Sequence, residues 1–282
     1  MLKKLRIASA VVVLLGFVCL FANFANSGWA VKWLSWLPGI QFTESVLALS
    51  FAALIWLIIT FLLGRVYCSF VCPLGILQDL AARLVPKKRR SFDGKYDDSG
   101  CRLRLVILIF YIASLALGIN IIFSLLSPYA IFGRLMNDIF NPAAAFINNL
   151  LVSWLGESLG LVPVKYASQS LLSTAAALII GLFALAAALW QKRFWCRKVC
   201  PVGTFLGFFA AKSYKVIAID KEKCIKCGSC ARGCKVSCID VPNFSVNNAS
   251  CVKCFNCLEA CPKKAIGLAA RSGRAAAEAE EQ

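Results

Sequence analysis

Eight cysteines near the end of this chain fall into two runs of the same internal spacing: Cys224, Cys227, Cys230, Cys234 and then Cys251, Cys254, Cys257, Cys261. A C-x2-C-x2-C-x3-C run wraps three thiolates around one cuboidal 4Fe-4S cluster and lends the fourth to its neighbour. Two such runs therefore predict two clusters with crossed ligation. Cys224, Cys227, Cys230 and Cys261 would hold the first; Cys251, Cys254, Cys257 and Cys234 would hold the second. One-electron transfer is the chemistry such centres perform. A disulfide framework leaves the repetition of the triple spacing after 27 residues unexplained. Structural zinc uses C-x2-C pairs with a long gap between them, not three thiols in seven residues. The second run ends Cys261-Pro262, as bacterial ferredoxin runs do, whereas the first ends Cys234-Lys235 and adds Cys238. Cys238 reads as a spare buried thiol, with the fourth ligand of that run left open between it and Cys234.

A second cysteine pattern lies upstream. Gly64-Arg65-Val66-Tyr67-Cys68-Ser69-Phe70-Val71-Cys72-Pro73-Leu74-Gly75 matches Lys192-Arg193-Phe194-Trp195-Cys196-Arg197-Lys198-Val199-Cys200-Pro201-Val202-Gly203 at a constant offset of 128 residues. Each copy follows the second helix of a predicted two-helix hairpin, so the region upstream of the cluster runs reads as a pair of parallel repeats. Within a copy the cysteines are i and i+4, on one face of a helix, and the proline suits the first turn of the next. If a pseudo-twofold axis joins the copies, Cys68, Cys72, Cys196 and Cys200 supply four thiolates for a further cluster or a soft metal ion. Packing at a helix end and a redox dithiol are the other readings.

The elements that must carry these motifs are apolar. With 60% hydrophobic residues and a mean hydropathy of +0.73, the composition points to a bilayer. Four stretches are long enough to cross it: Ile7–Ala25, Val46–Leu63, Leu105–Leu126 and Leu171–Trp190. The expected fold is mainly α. A four-helix transmembrane domain spans residues 1–213, its repeats 1–85 and 101–213 joined by a basic loop; a small α+β ferredoxin-like domain follows at 214–268, and a disordered tail at 269–282. Ile7–Ala25 reads as a retained anchor, because it is long for a signal sequence and lacks a small-x-small cleavage site. Of 31 Lys and Arg, three lie in the loops assigned to the outer face (Lys32, Arg134, Lys165), which places both termini in the cytoplasm of a bacterial inner membrane. That topology accounts for the net charge of +17 without nucleic acid. Trp29, Trp33 and Trp36 share a helix face and read as an interfacial belt. With no histidine in the chain, histidine-ligated haem and C-x-x-C-H attachment are excluded.

Paired C-x3-C-P motifs, four apolar helices and two terminal cluster runs together resemble the NapH/MauN family of membrane ferredoxin-type proteins, the quinol dehydrogenase membrane components. The likeness covers about residues 45–266. It implies a conduit that oxidises membrane quinol and passes electrons to a partner redox protein: a ferredoxin, a cytochrome or a reductase subunit. A flavin, if needed, would come from that partner. On the residues themselves a quinol site is weakly marked. The segment from Ser127 to Pro142 is apolar yet carries Arg134 and Asp138, and Arg134 is the candidate. Two other functions stay open: a metal-handling factor that captures copper(I) on the four upstream thiols for oxidase assembly, and a redox-sensing regulator.

Overall fold

Long apolar runs free of internal proline fold as helices, and the turn residues between them decide where each helix stops. The computed structural model describes residues 2–21, 32–48, 50–84, 96, 101–155, 171–190 and 192–271. The first helix, α1 (Leu2–Phe21), is the one helix among the described residues that is by itself long and apolar enough to cross a membrane. Its 20 residues span about 30 Å at 1.5 Å per residue. Two short helices, α2 (Trp36–Gly39) and α3 (Phe42–Leu47), precede α4 (Phe51–Leu63).

Two of the other expected spans are divided, while Leu171–Trp190 is a single helix over its expected bounds. Val46–Leu63 is interrupted where Ser50 turns extended and starts α4 afresh. Leu105–Leu126 is two helices, α7 (Cys101–Ala116) and α8 (Asn120–Leu126). The cause is Gly118, at φ 70°. With Gly118 left-handed, Ile119 N–H reaches back to the Ser114 carbonyl at 2.8 Å and Gly118 N–H to Leu115 at 3.2 Å, the paired bonds of a Schellman stop. A hydropathy reading passes over that glycine because its neighbours remain apolar.

Between these lie α5 (Tyr67–Phe70) and α6 (Pro73–Leu84), which carry the first C-x3-C-P motif. The segment suspected of lining a pocket is helical throughout the described residues: α9 (Pro128–Arg134), a π-helical stretch Leu135–Phe140, and α10 (Asn141–Leu155). Pro142 lacks the N–H that an α-turn would use, and the widened turn stands just before it. After α11 (Leu171–Trp190), α12 (Phe194–Lys198) and α13 (Pro201–Ala211) carry the second motif.

Helix α11 packs along α6, while α13 packs against α4 and α7. Helix α1 is held at α9 through Phe17 and Phe132, whose rings lie 5.9 Å apart and are fully buried. Outward-facing positions stay apolar: Phe51 is 84% exposed and Trp154 84%. Trp33 and Trp36 are likewise exposed, whereas Trp29 lies outside the described residues. Lys165, the basic loop from residue 85 onward apart from Tyr96, and the tail from residue 272 also lie outside them.

The cysteine-rich lobe is small and symmetric. Strand β1 (Lys215–Ile219) pairs antiparallel with β4 (Ile266–Ala270), Ile217 opposite Leu268. Between them come α14 (Ser229–Gly233), the two-residue strands β2 (Ile239–Asp240) and β3 (Ser245–Val246), and α15 (Asn256–Ala260). The lobe runs beyond the expected boundary at 268, since β4 continues to Ala270 and Arg271 N–H bonds the Tyr214 carbonyl at 2.8 Å. One apolar core passes through both lobes, joining Phe42, Leu135 and Leu206 to Ile217, Val252 and Ile266.

Candidate metal centres

The tail cysteines gather at two cavities. Cys224, Cys227, Cys230 and Cys261 line one, together with Gly228 and Ala265. Cys251, Cys254, Cys257 and Cys234 line the other, and Cys238 stands among them. The grouping is the crossed one read from the spacing. The first cavity is the outer, with Cys227 exposed; the second is the inner, every one of its cysteines buried.

Local backbone geometry explains how seven residues can curl round one cavity. Left-handed residues recur at the 27-residue offset: Lys226 and Lys253 (φ 53° and 50°), Gly228 and Phe255 (71° and 59°), Ser237 and Lys264 (both 50°). In the left-handed region, strain at non-glycine residues costs roughly 1–3 kcal/mol each and persists where the surroundings demand it. Successive residues of alternating hand turn their N–H groups inward, the arrangement that receives anions. Ala265 N–H donates to Cys261 Sγ at 3.2 Å, and Cys238 N–H faces Cys234 in the same way.

The upstream motifs also converge. Cys68, Cys72, Cys196 and Cys200 are each at most 5% exposed and lie within electrostatic reach of one another. Each second cysteine caps a helix. Gly203 N–H donates to Cys200 Sγ at 3.3 Å, and Gly75 N–H does the same for Cys72. These glycines are required by a close approach: a Cβ on Gly75 would sit 2.7 Å from the Cys68 carbonyl oxygen, and one on Gly203 3.2 Å from that of Cys196. Burial pushes the Cys200 thiol up to about 11 and raises Cys72 and Cys196 as well, so thiolates here need a positive partner.

Buried cations surround these thiols. Arg65 and Arg193, equivalent in the repeat, are 1% and 0% exposed. Arg65 points Nη2 at Cys68 Sγ (3.9 Å) and donates from Nη1 to the Ala249 carbonyl at 3.1 Å. Arg193 donates from Nη1 to the Cys68 carbonyl at 2.8 Å and to Ser69 Oγ at 3.2 Å. Lys253, 1% exposed, reaches the Lys215 carbonyl and Asn248 Oδ1, both at 3.1 Å. It passes Gly64, where a Cβ would lie 2.6 Å from its Cε. Cys251 is drawn down to about 6, first by a hydrogen bond from Cys238 and then by Lys253 and Arg65.

One carboxylate ties the lobes together. Asp79, on α6, accepts from Arg193 Nε at 2.8 Å and Nη2 at 2.7 Å, from Lys235 Nζ at 2.5 Å and from Arg6 Nη1 at 3.1 Å. Burial alone would raise Asp79; the Arg193 charge and its paired bonds, then Lys235, outweigh it and hold the carboxyl well below the usual range. Burial lowers Lys235 to about 8 against the pull of Asp79, and the positive charges of Arg193 and Arg6 push it the same way. The lobes also meet through buried Ser69 Oγ, which donates to the Val252 carbonyl at 2.6 Å.

The donor chemistry fits iron-sulfur clusters. Four thiols face the outer cavity and five the inner, apolar residues such as Ile217, Val241 and Val252 wall the cavities, and cations are buried beside the thiols. Among the described residues no three Cys, Asp or Glu side chains converge on a point suited to one bare ion. A single zinc needs sulfurs about 2.3 Å away, whereas a bulky inorganic core spreads its ligands apart. Arg134, at the end of α9, lines neither tail cavity and donates to Ser124 Oγ at 2.6 Å. The sequence reading missed Asp79, Arg65, Arg193 and Lys253. For the two arginines the 128-residue offset was the available signal, since they match each other across the repeat.

Residues 45–91 and 173–216, the two C-x3-C-P repeats, match a family model described as "4Fe-4S binding domain". The methylamine utilization ferredoxin-type protein MauN of Paracoccus denitrificans is 30% identical over 69% of this chain and 56% of its own length. The ferredoxin-type protein NapH of Escherichia coli is 29% identical over 67% of this chain and 54% of its own. YccM of Escherichia coli is 28% identical over 70% and 47%. The chain thus spans about half the length of these curated relatives. No solved structure matches. Its C-x3-C-P repeats thus match a 4Fe-4S binding domain, and its homologues include the ferredoxin-type proteins MauN and NapH at 29–30% identity.

Proposed function

We propose that the chain is a multi-pass membrane electron-transfer subunit that takes electrons from quinol and hands them to a partner redox protein. The observation that carries this reading is the Ser69–Val252 bond of 2.6 Å. Ser69 lies between Cys68 and Cys72, and Val252 between Cys251 and Cys254, so the upstream thiols and the inner tail set share a wall. The outer set, with Cys227 exposed, faces away toward solvent. The three sets thus form a series from the ends of the apolar helices to the surface.

When bound, a 4Fe-4S cluster supplies a one-electron acceptor that needs no proton. The crossed tail cysteines would hold two, and Cys68, Cys72, Cys196 and Cys200 a third. Arg65, Arg193 and Lys253 offset the thiolate charge, while the apolar core excludes water from the inner two sets. Exposed Ile225, with Lys221, Lys223 and Lys226 nearby in sequence, suits a partner with an acidic rim around an apolar centre. The apolar helix faces carrying Phe51, Ile109, Phe146 and Trp154 suit lipid, and support four spans packed through α6, α9 and α13.

The test is anaerobic reduction of the liposome-reconstituted chain by a short-chain quinol. The expected result is bleaching of the cluster absorbance in the parent protein and none in Cys68→Ser/Cys200→Ser, which should keep about eight iron atoms in the tail. Bound zinc, or full cluster reduction by quinol in the double variant, would defeat the reading.

A further inference from the structure

The two cysteine runs of the lobe correspond in spacing at the 27-residue offset, down to three pairs of left-handed positions. After the last cysteine of each run the two sequences diverge. Cys261 is followed by Pro262 and Ala265, and Cys234 by Lys235 and Cys238. Ala265 and Cys238 are equivalent: each lines its own cavity and each turns its N–H toward the last cysteine of its run. Their side chains differ. Ala265 offers a methyl group, whereas Cys238 brings its Sγ within 3.6 Å of Cys234 Sγ and is 2% exposed.

Five sulfurs therefore face the inner cavity and four the outer. A 4Fe-4S cluster uses four thiolates, so one sulfur of the inner five stays protonated. The crossed pattern assigns Cys234, Cys251, Cys254 and Cys257 as ligands by analogy with the outer four, leaving Cys238 as the S–H. We propose that Cys238 is a hydrogen-bond donor to the ligand sulfurs of the inner site, and that it raises the reduction potential of the cluster held there. This rests on the reading that both cavities hold 4Fe-4S clusters.

The physical basis is charge. An added electron makes the ligand sulfurs more negative, so a donor aimed at them favours the reduced state. Burial of the inner site acts in the opposite direction and nearby Lys253 in the same one, so comparing the two cavities cannot isolate the thiol. A variant can. Cys238→Ala installs the residue that the outer half already carries at position 265.

The experiment is a redox titration of the full chain, anaerobic in detergent, followed by EPR; dithionite gives each cluster one electron and no bond is made or broken. In Cys238→Ala the iron content should equal that of the parent. One of the two tail signals should move to lower potential, so that at the parent midpoint its reduced-to-oxidised ratio falls on the order of tenfold, equivalent to 59 mV for one electron. The other signal should stay in place. Cys238→Ser, whose hydroxyl still donates, should recover most of the shift. Unmoved potentials, equal shifts in both variants, or loss of about four iron atoms, which would make Cys238 itself a ligand, each overturn the proposal. A parent chain without iron would instead overturn the cluster reading on which it stands.

Discussion

Replacing Asp79 by asparagine keeps the shape of the side chain and removes its charge. In the parent, three cations share this carboxylate, through two bonds from Arg193 and one each from Lys235 and Arg6. The side chain is 10% exposed and that of Arg193 is fully buried, so water does not replace what is lost. Breaking a buried ion network by removing one partner costs about 3–5 kcal/mol. Charge-assisted bonds of about 1.5–3 kcal/mol each would sum to more, but they share two oxygens and are not additive. At about 2–4 °C per kcal/mol for a chain of this size, a fall in melting temperature on the order of 10 °C follows. The acid limb carries a second signature. Asp79 is lowered in the folded protein, so its contribution is complete above its unfolded value near 4 and is lost as pH falls below that. The gap between parent and D79N should therefore close progressively as pH falls below about 4. Thermal scanning in detergent as pH is lowered, with limited proteolysis at Lys212–Tyr214 between the lobes, makes the measurement. A D79N protein that melts within a degree of the parent and resists protease equally would refute the idea that this carboxylate joins the lobes.

Gly75→Ala should destabilise by about 1–3 kcal/mol and empty the four-thiol site, because its Cβ meets the Cys68 carbonyl oxygen at 2.7 Å; Gly39→Ala, with nothing within 4 Å, is the control. Melting curves and iron counts separate the two. Glu259→Gln removes the exposed ion pair with Lys3 and should leave the melting temperature unchanged within error, unlike D79N. Stripping iron with a chelator under reducing conditions should lower the protease resistance of residues 224–261 before that of the helices, because the left-handed positions there lose the group that holds them.

Much of the site was legible because ligand spacing is a local property. The runs at 224–234 and 251–261 state their crossed grouping, and the 128-residue offset states the pairing of the upstream motifs. What a linear reading loses is burial. Arg65 and Arg193 entered a topological count of basic residues as if both were solvated, yet they are among the largest fully buried side chains. Asp79 has no motif around it; its importance comes from Arg6, Arg193 and Lys235 arriving from 73, 114 and 156 residues away. Helix length was misjudged for a different reason. Hydropathy averages over a window, whereas Gly118 stops a helix by adopting a single dihedral angle.

The apolar core that threads both lobes has a bearing on biogenesis. Once β1 has paired with β4 and Lys235 has reached Asp79, every cysteine of the inner pocket is buried, while the outer one still presents Cys227. On the proposed two-cluster reading, maturation would therefore have an order, the deep set of thiols being filled before the lobe settles around it.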